Sequence, residues 1–434
     1  MKNPTNPSTR LVALCCAVYF TSYLTRKAYE ASILAICDGT GLARTAAGLA
    51  GTATVALYGS GQFATGWMAD RLDPRRIVLA ALLLTAACNA ALPFAVGSVA
   101  ALVTIQALNG FAQAMFWPPL VKVFATSLSP ERYKGAVFAV NAAANAAIVA
   151  VFALVAGCVR FADWRLSFWL AAGVALAMAA VWGIFSRRDA EAQREEGPLS
   201  TNSHCPPLSA NRNKNLADPV KSTSRTWLGA VWLLPIALAI VCMGALRDGI
   251  ETWAPSIVND LYGLGASGST ASVALLPLFA VASMAGARAL RRALGDEIRA
   301  ALALFAIGLG CAAALLSVGG AALATGLPLL ALLSAAMHGV NLMLVCELPG
   351  RFARNARVGT ISGALNACVY VGAAVSIYGF AALREHFAGW RPVFGLWVAF
   401  LSAASALCFA ALRRGGKKTG RTGLRFDMSP GVES

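Results

Sequence analysis

The sequence predicts an all-α membrane protein of twelve transmembrane helices, arranged as two six-helix pseudo-symmetric bundles. Three observations predict it. First, 58% of the 434 residues are hydrophobic and only 13% are charged, with a mean hydropathy of +0.64. A soluble domain carries about 25% charged residues, so this chain lacks the polar surface of a water-facing fold. Second, the apolar residues gather into runs of about 20, the length that spans a hydrocarbon core of roughly 30 Å. Third, a basic–acidic pattern in the first run returns in the seventh, half a chain later.

In chain order the first six runs are 11–36, 46–69, 77–96, 98–124, 134–159 and 164–185. The polar N-terminus carries Lys2 and Arg10. The run after it is too long and too interrupted by charge for a cleaved signal peptide, and reads as the first membrane helix. Residues 187–225 are rich in charge, Ser, Asn and Pro and read as a mobile hydrophilic linker. The second six runs are 227–257, 268–292, 298–318, 323–348, 357–383 and 390–412, followed by a basic tail. The domain organisation predicted is a bundle at 1–186, a cytoplasmic linker at 187–225, a second bundle at 226–414 and a cytoplasmic tail at 415–434.

The formal charge of +16 does not indicate nucleic acid, because the basic residues sit in short loops between apolar runs. Placing both termini in the cytoplasm puts 28 of the 36 Lys and Arg residues on that side. Arg44, Arg160, Arg165, Arg384 and Arg391 fall in outer loops, and Arg26, Lys27 and Arg247 fall inside the membrane. The opposite orientation inverts this bias, so a multi-pass protein of the cell (inner) membrane with both termini in the cytoplasm is expected. The eleven cysteines are scattered, mostly within apolar runs, and read as small packing residues rather than disulfides or metal ligands. No phosphate-cradling GxxxxGK[ST] and no catalytic constellation appears, so neither an ATP motor nor an enzyme is expected, and no cofactor.

The internal echo carries the functional reading. Arg26 and Glu30 match Arg247 and Glu251, each pair separated by 221 positions. A charge at the centre of a membrane helix costs roughly 2.5–3.5 kcal/mol on insertion scales, so it faces water or a partner. Tyr19, Tyr23, Arg26 and Glu30 lie at i, i+4, i+7 and i+11, one side of an α-helix. The planar fork of Arg matches phosphate or carboxylate. Two arginines, one per half, would draw the halves together on an anion, and a ligand that favours the closed state drives alternating access. The competing reading is structural: each Arg is neutralised by its own Glu four residues on. Trp117-Pro118-Pro119 reads as a kinked, packed helix segment. Arg71, Arg75 and Arg76, with Asp70 and Asp73, read as ion-pair braces of the cytoplasmic gate. His338, inside the tenth run, is a secondary candidate as an interior histidine or proton relay.

The chain resembles the organophosphate:phosphate antiporters of the major facilitator superfamily, the group of the glycerol-3-phosphate and hexose-6-phosphate transporters. The stretches that carry the resemblance are YFTSYLTRKAY, GQFATGWMADRLDPR, NGFAQAMFWPP, LRDGIETWAPS and VGTISGALNACVYVGA. The resemblance implies two related halves with the substrate site between them near mid-membrane. By motif position the family's paired phosphate-binding arginines fall on Arg26 and Arg247 and its adjacent lysine on Lys27. Its tyrosines fall on Tyr19, Tyr23, Tyr58 and Tyr370. The chain departs from the family at two points: a helix-two lysine aligns with Gln62, and a helix-five histidine aligns with Ala144, beside Asn141 and Asn145. Glu30 and Glu251 lie outside the family pattern.

The resemblance therefore implies a monomeric secondary antiporter exchanging a small organophosphate, or a related anion, for inorganic phosphate. Its partners are that anion, possible inorganic phosphate and the lipid bilayer. The departures keep two alternatives in view, a non-transporting sensor of a phosphorylated ligand and a proton-coupled transporter of another small organic anion, with Glu30 or Glu251 titrating.

Overall fold

A computed structural model of the chain describes residues 7–195, 233–274, 276–318, 322–349 and 358–419. The first half holds α1 (Pro7–Thr40), α2 (Arg44–Arg71), α3 (Pro74–Ala95), α4 (Val99–Ala114), α5 (Trp117–Ser127), α6 (Pro130–Phe161) and α7 (Trp164–Glu195). The second holds α8 (Leu233–Tyr262), α9 (Gly265–Val273), α10 (Leu276–Leu294), α11 (Glu297–Val318), α12 (Leu323–Asn341), α13 (Val358–His386) and α14 (Arg391–Thr419). Three predicted spans are broken. The fourth is α4 followed by α5, restarted at Trp117 where Pro118 and Pro119 supply no amide proton and so fit only a first turn. The eighth is α9 followed by α10. The tenth is α12 continued by a widened π turn over Leu342–Glu347.

Local chemistry explains the helix starts. Asp73 caps α3, accepting the amide of Arg75, with Pro74 in the first turn. Ser98 caps α4 through the amide of Ala101. At the end of α7 the helix continues through Glu195, into the segment expected to be linker. Its residues there, RRDAEAQRE, are mostly good helix formers, and no Gly or Pro stops them before 197. Residues 196–232 and 420–434, which hold most of the expected linker and tail, lie outside the described residues.

Ten of the twelve spans are long and apolar enough by composition to cross a membrane; those of α1 and α2 are as long but more polar. α1 carries Arg26, Lys27 and Glu30 at its centre, and α2 is rich in Gly, Ser and Thr.

Helix pairing repeats between the halves. In the first, α1 packs on α6, α2 on α4, and α3 on α7. In the second, α8 packs on α13, α10 on α12, and α11 on α14. These are the same three pairings in the two sets of six. Backbones approach closely where side chains vanish: a methyl group at Gly244 of α8 would overlap the Val369 carbonyl of α13. A buried polar network ties the first half. Gln113 of α4 donates to Thr25 of α1 (3.1 Å) and Thr85 of α3 (2.9 Å), and Thr85 donates to Asn109 (2.7 Å).

The halves meet along α2–α13, α1–α8, and α6 against α9 and α10. A methyl group at Gly48 of α2 would stand 2.8 Å from the Ile377 carbonyl of α13. At the end holding the α1–α2 turn, polar contacts cross between halves. Arg44 donates to both oxygens of Asp260, each at 2.8 Å, and the Thr45 amide donates to Glu385 at 3.2 Å. Asp260 also accepts from Arg384 and from Trp390 of its own half. At the opposite end, the bonds of Lys122 to Ala69, Trp182 to Arg75, and Arg288 and Arg291 to Glu347 stay within one half. The expected braces sit there too. Arg76 reaches Asp73 at 3.8 Å with both side chains largely exposed, and Arg71 lies over the Trp67 ring. The Asp70 side chain lies outside the described residues.

Candidate functional site between the halves

α1 carries its polar stripe to the middle of the bundle. The Tyr19 and Tyr23 rings lie 5.1 Å apart, and Tyr19 meets Trp117 at 5.5 Å. The Arg26 guanidinium stands 4.2 Å from the centroid of Tyr58 and 5.4 Å from that of Tyr23. Tyr58 meets Tyr370 of the other half edge-on at 5.2 Å. Arg26 therefore sits in an aromatic cage to which both halves contribute, a setting that holds a guanidinium by its face and leaves its N–H edge free. Among the described residues, Arg26 forms no ion pair.

The expected Arg–Glu pairs four residues apart are not those that form. Lys27 Nζ lies 2.6 Å from Glu30 Oε2 and 3.1 Å from Glu251 Oε2, so one ammonium bridges α1 and α8 across the halves. The other oxygen of Glu251 meets His338 Nε2 of α12 at 2.6 Å. Arg247 donates to its neighbour Asp248, from Nε at 2.8 Å and from Nη2 at 3.0 Å. A guanidinium has five N–H donors, so Arg247 keeps both Nη1 protons and one on Nη2 for a ligand. The side chains of Lys27, Glu30, Arg247, Asp248, Glu251 and His338 keep between 7% and 18% of their surface exposed. The cluster is thus mostly buried but not sealed from water.

The structure brings together Arg26, Tyr19, Tyr23, Tyr58 and Tyr370 in one group, and Lys27, Glu30, Glu251 and His338 in another, with Arg247 beside the second. Two secondary candidates form no hydrogen bond to these groups among the described residues. The Asn141 amide is exposed and donates to the Val137 carbonyl of its own helix. Gln62 is half-buried one turn beyond Tyr58, its backbone carbonyl accepting from Thr65. Ala144 is buried in the first half. Asp248 went unnoticed in the sequence because consecutive helical residues point about 100° apart. The long Arg247 side chain nevertheless curls back to meet the short carboxylate of Asp248. The only available signal was the adjacency of opposite charges within an apolar run.

Comparisons with known proteins follow the same lines. Residues 15–377 match the profile described as Major Facilitator Superfamily. The chain is 26% identical over 251 residues to a glycerol-3-phosphate transporter of Bacillus subtilis, covering 56% of each protein. It is 26% identical over 188 residues to a probable sulfoacetate transporter of Cupriavidus necator, covering 43% of each. The matched region thus spans about half the length of these curated relatives. Among solved structures, a bacterial homologue of the human lysosomal transporter Spinster, inward-facing and unoccupied, superposes with a TM-score of 0.76 at 14% identity, covering 96% of this chain and 99% of that one. A D-xylose–proton symporter superposes with a TM-score of 0.65 at 13% identity, covering 92% and 96%. With two six-helix halves pairing alike, a polar site between them and a profile match over most of its length, this multi-pass membrane chain belongs to the Major Facilitator Superfamily.

Proposed function

We propose that this chain is a transporter that carries a small organic anion with a phosphate-like head group, and exchanges it for inorganic phosphate by alternating access. The observation that carries the reading is the caged Arg26. A guanidinium near the middle of α1, walled by tyrosine rings and without a carboxylate of its own, is unsatisfied until an anion arrives. The free edge of Arg247 approaches from the other half, and Tyr19, Tyr23, Tyr58 and Tyr370 offer hydroxyls around the head group. Lys27 stands one residue from Arg26, held between Glu30 and Glu251. Tetrahedral head groups of this kind are named in both curated relatives, as a phosphate ester in one and a sulfonate in the other. Exchange against phosphate is supported by the motif resemblance around Arg26 and Arg247.

The same reading places both termini in the cytoplasm of the cell that bears it, in its inner membrane, with the domain limits 1–186, 187–225, 226–414 and 415–434 and a monomeric unit. Proteoliposomes loaded with inorganic phosphate test it. External glycerol 3-phosphate or sulfoacetate should drive release of labelled phosphate, and Arg26→Lys or Arg247→Lys should abolish it. Undiminished exchange in both variants would remove the guanidinium role. Tight binding without flux would make the protein a sensor.

A further inference from the structure

The charges of the central site balance. Arg26, Lys27 and Arg247 face Glu30, Asp248 and Glu251, three of each sign, with His338 as the remaining ionisable base. We propose that the Glu251–His338 pair is a proton site filled together with the anion, so that each monoanion placed on Arg26 travels with one proton. This deepens the anion-transport reading above and rests on it.

The argument begins with the pairing. Lys27 is shared by both glutamates, and Asp248 occupies one edge of Arg247. Every cation but Arg26 is therefore already matched, and the empty site carries no net charge with His338 neutral. An anion on Arg26 makes the site net negative in a region where an uncompensated charge is costly. One proton taken up by His338 restores balance, and the imidazolium is held where it forms because Glu251 Oε1 lies 2.6 Å from its Nε2. The balance is simple. One N–H bond forms on the imidazole, one proton leaves the solution on the entry side, and the same proton leaves with the anion on the exit side. A dianion loaded on the same site would remain one charge short.

The proton also acts on the contact between halves. Lys27 is the link between Glu30 of α1 and Glu251 of α8. A charged His338 takes over the neutralisation of Glu251, which releases Lys27 from the second half and leaves it on Glu30, one residue from the anion site. Loading thus weakens one cross-half ion pair while the anion forms another. The groups facing this pair are few. α1 brings Arg26, Lys27 and Glu30, α8 brings Arg247 and Asp248, and α13 brings Tyr370 within electrostatic reach of both arginines. In the π turn after α12, Glu347 is held by Arg288 and Arg291, and Cys346 is its neighbour. α9 has no ionisable residue, and α14 has no charged one between Arg391 and Arg413.

Calorimetry of the purified full-length protein tests this. Methanesulfonate, sulfoacetate and glycerol 3-phosphate are titrated in buffers of different ionisation enthalpy near pH 7.5, and the protons taken up per anion bound are counted. Methanesulfonate stays ionised throughout, so its proton count belongs to the protein. The result expected is close to one proton per methanesulfonate, falling to near zero in His338→Gln, which should also bind methanesulfonate more weakly. Glu251→Gln is the second variant, and the wild-type count stands even where neither variant folds. Binding of methanesulfonate by the wild type with no proton uptake would overturn the proton site and leave the anion reading intact. Failure of all three probes to bind would overturn both.

Discussion

Asp260→Asn should unfasten one end of the molecule. The Asp260 side chain is 17% exposed and accepts two hydrogen bonds from Arg44 of the first half, each 2.8 Å long. Its bonds from Arg384 and Trp390 lie within the second half and position the carboxylate without joining the halves. Asparagine keeps one acceptor, turns the other oxygen into a donor facing a guanidinium, and removes the charge. Hydrogen bonds to charged groups contribute about 1.5–3 kcal/mol each when shielded, and exposed ion pairs far less. For this partly shielded fork a loss of about 2 kcal/mol is the reasonable figure. Since about 1.4 kcal/mol is a factor of ten, the ratio of separated to closed molecules at this end should rise roughly 30-fold. Spin labels at Ala43→Cys and Phe387→Cys, in a background cleared of native cysteines, report the separation as a distance distribution. The variant should gain a long-distance population. Asp163→Asn is the control: its partner Arg165 lies in the same half, 2.7 Å away, and both are exposed. A distribution in Asp260→Asn no different from that control would refute the latch.

Three further outcomes are expected. Arg26→Lys keeps the charge but loses the planar fork and its stacking on Tyr58, so anion affinity measured by calorimetry should fall at least about tenfold; unchanged affinity would show that Arg26 is not the head-group ligand. Gln113→Leu leaves the hydroxyls of Thr25 and Thr85 without their shared donor, and should destabilise the first half by about 1–3 kcal/mol, seen as a lower thermal unfolding midpoint in detergent. A midpoint equal to wild type would mean that the network relaxes at no cost. Gly244→Val drives a side chain into the α13 backbone at Val369. It should cost about 1–3 kcal/mol or more by overpacking, lowering the folded yield; normal yield and stability would show that α8 and α13 separate freely.

Much of the architecture is written in local patterns. The twelve runs, the basic loops and the echo of Arg26 and Glu30 in Arg247 and Glu251 all lie within single helices or at a fixed spacing between them. The breaks are partly legible, as at Pro118 and Pro119, where the missing amide proton is a property of the residue itself. The wide turn at Leu342–Glu347 left no such mark, because apart from Glu347 it is built from ordinary apolar residues. Nor did the extension of α7 to Glu195, since a charged helical segment and a charged linker share a composition.

By itself, then, the sequence determined that the chain crosses a membrane many times in two related halves, and that charge stands at the middle of α1 and α8. Hydropathy and helical periodicity depend only on neighbours along the chain, which is why they can be read from it. Which of the possible charge pairs form was decided by the tertiary structure. Lys27 takes Glu30 and Glu251, Arg247 takes Asp248, His338 arrives from α12, and Arg26 is left to a cage of tyrosines. Lys27–Glu30 and Arg247–Asp248 lie within one helix, but the pairs that Glu251 makes with Lys27 and His338 are set by the distance between atoms on different helices. That distance follows from how the two halves pack, through contacts such as Gly48 on Ile377 and Arg44 on Asp260, and no spacing within one helix contains it.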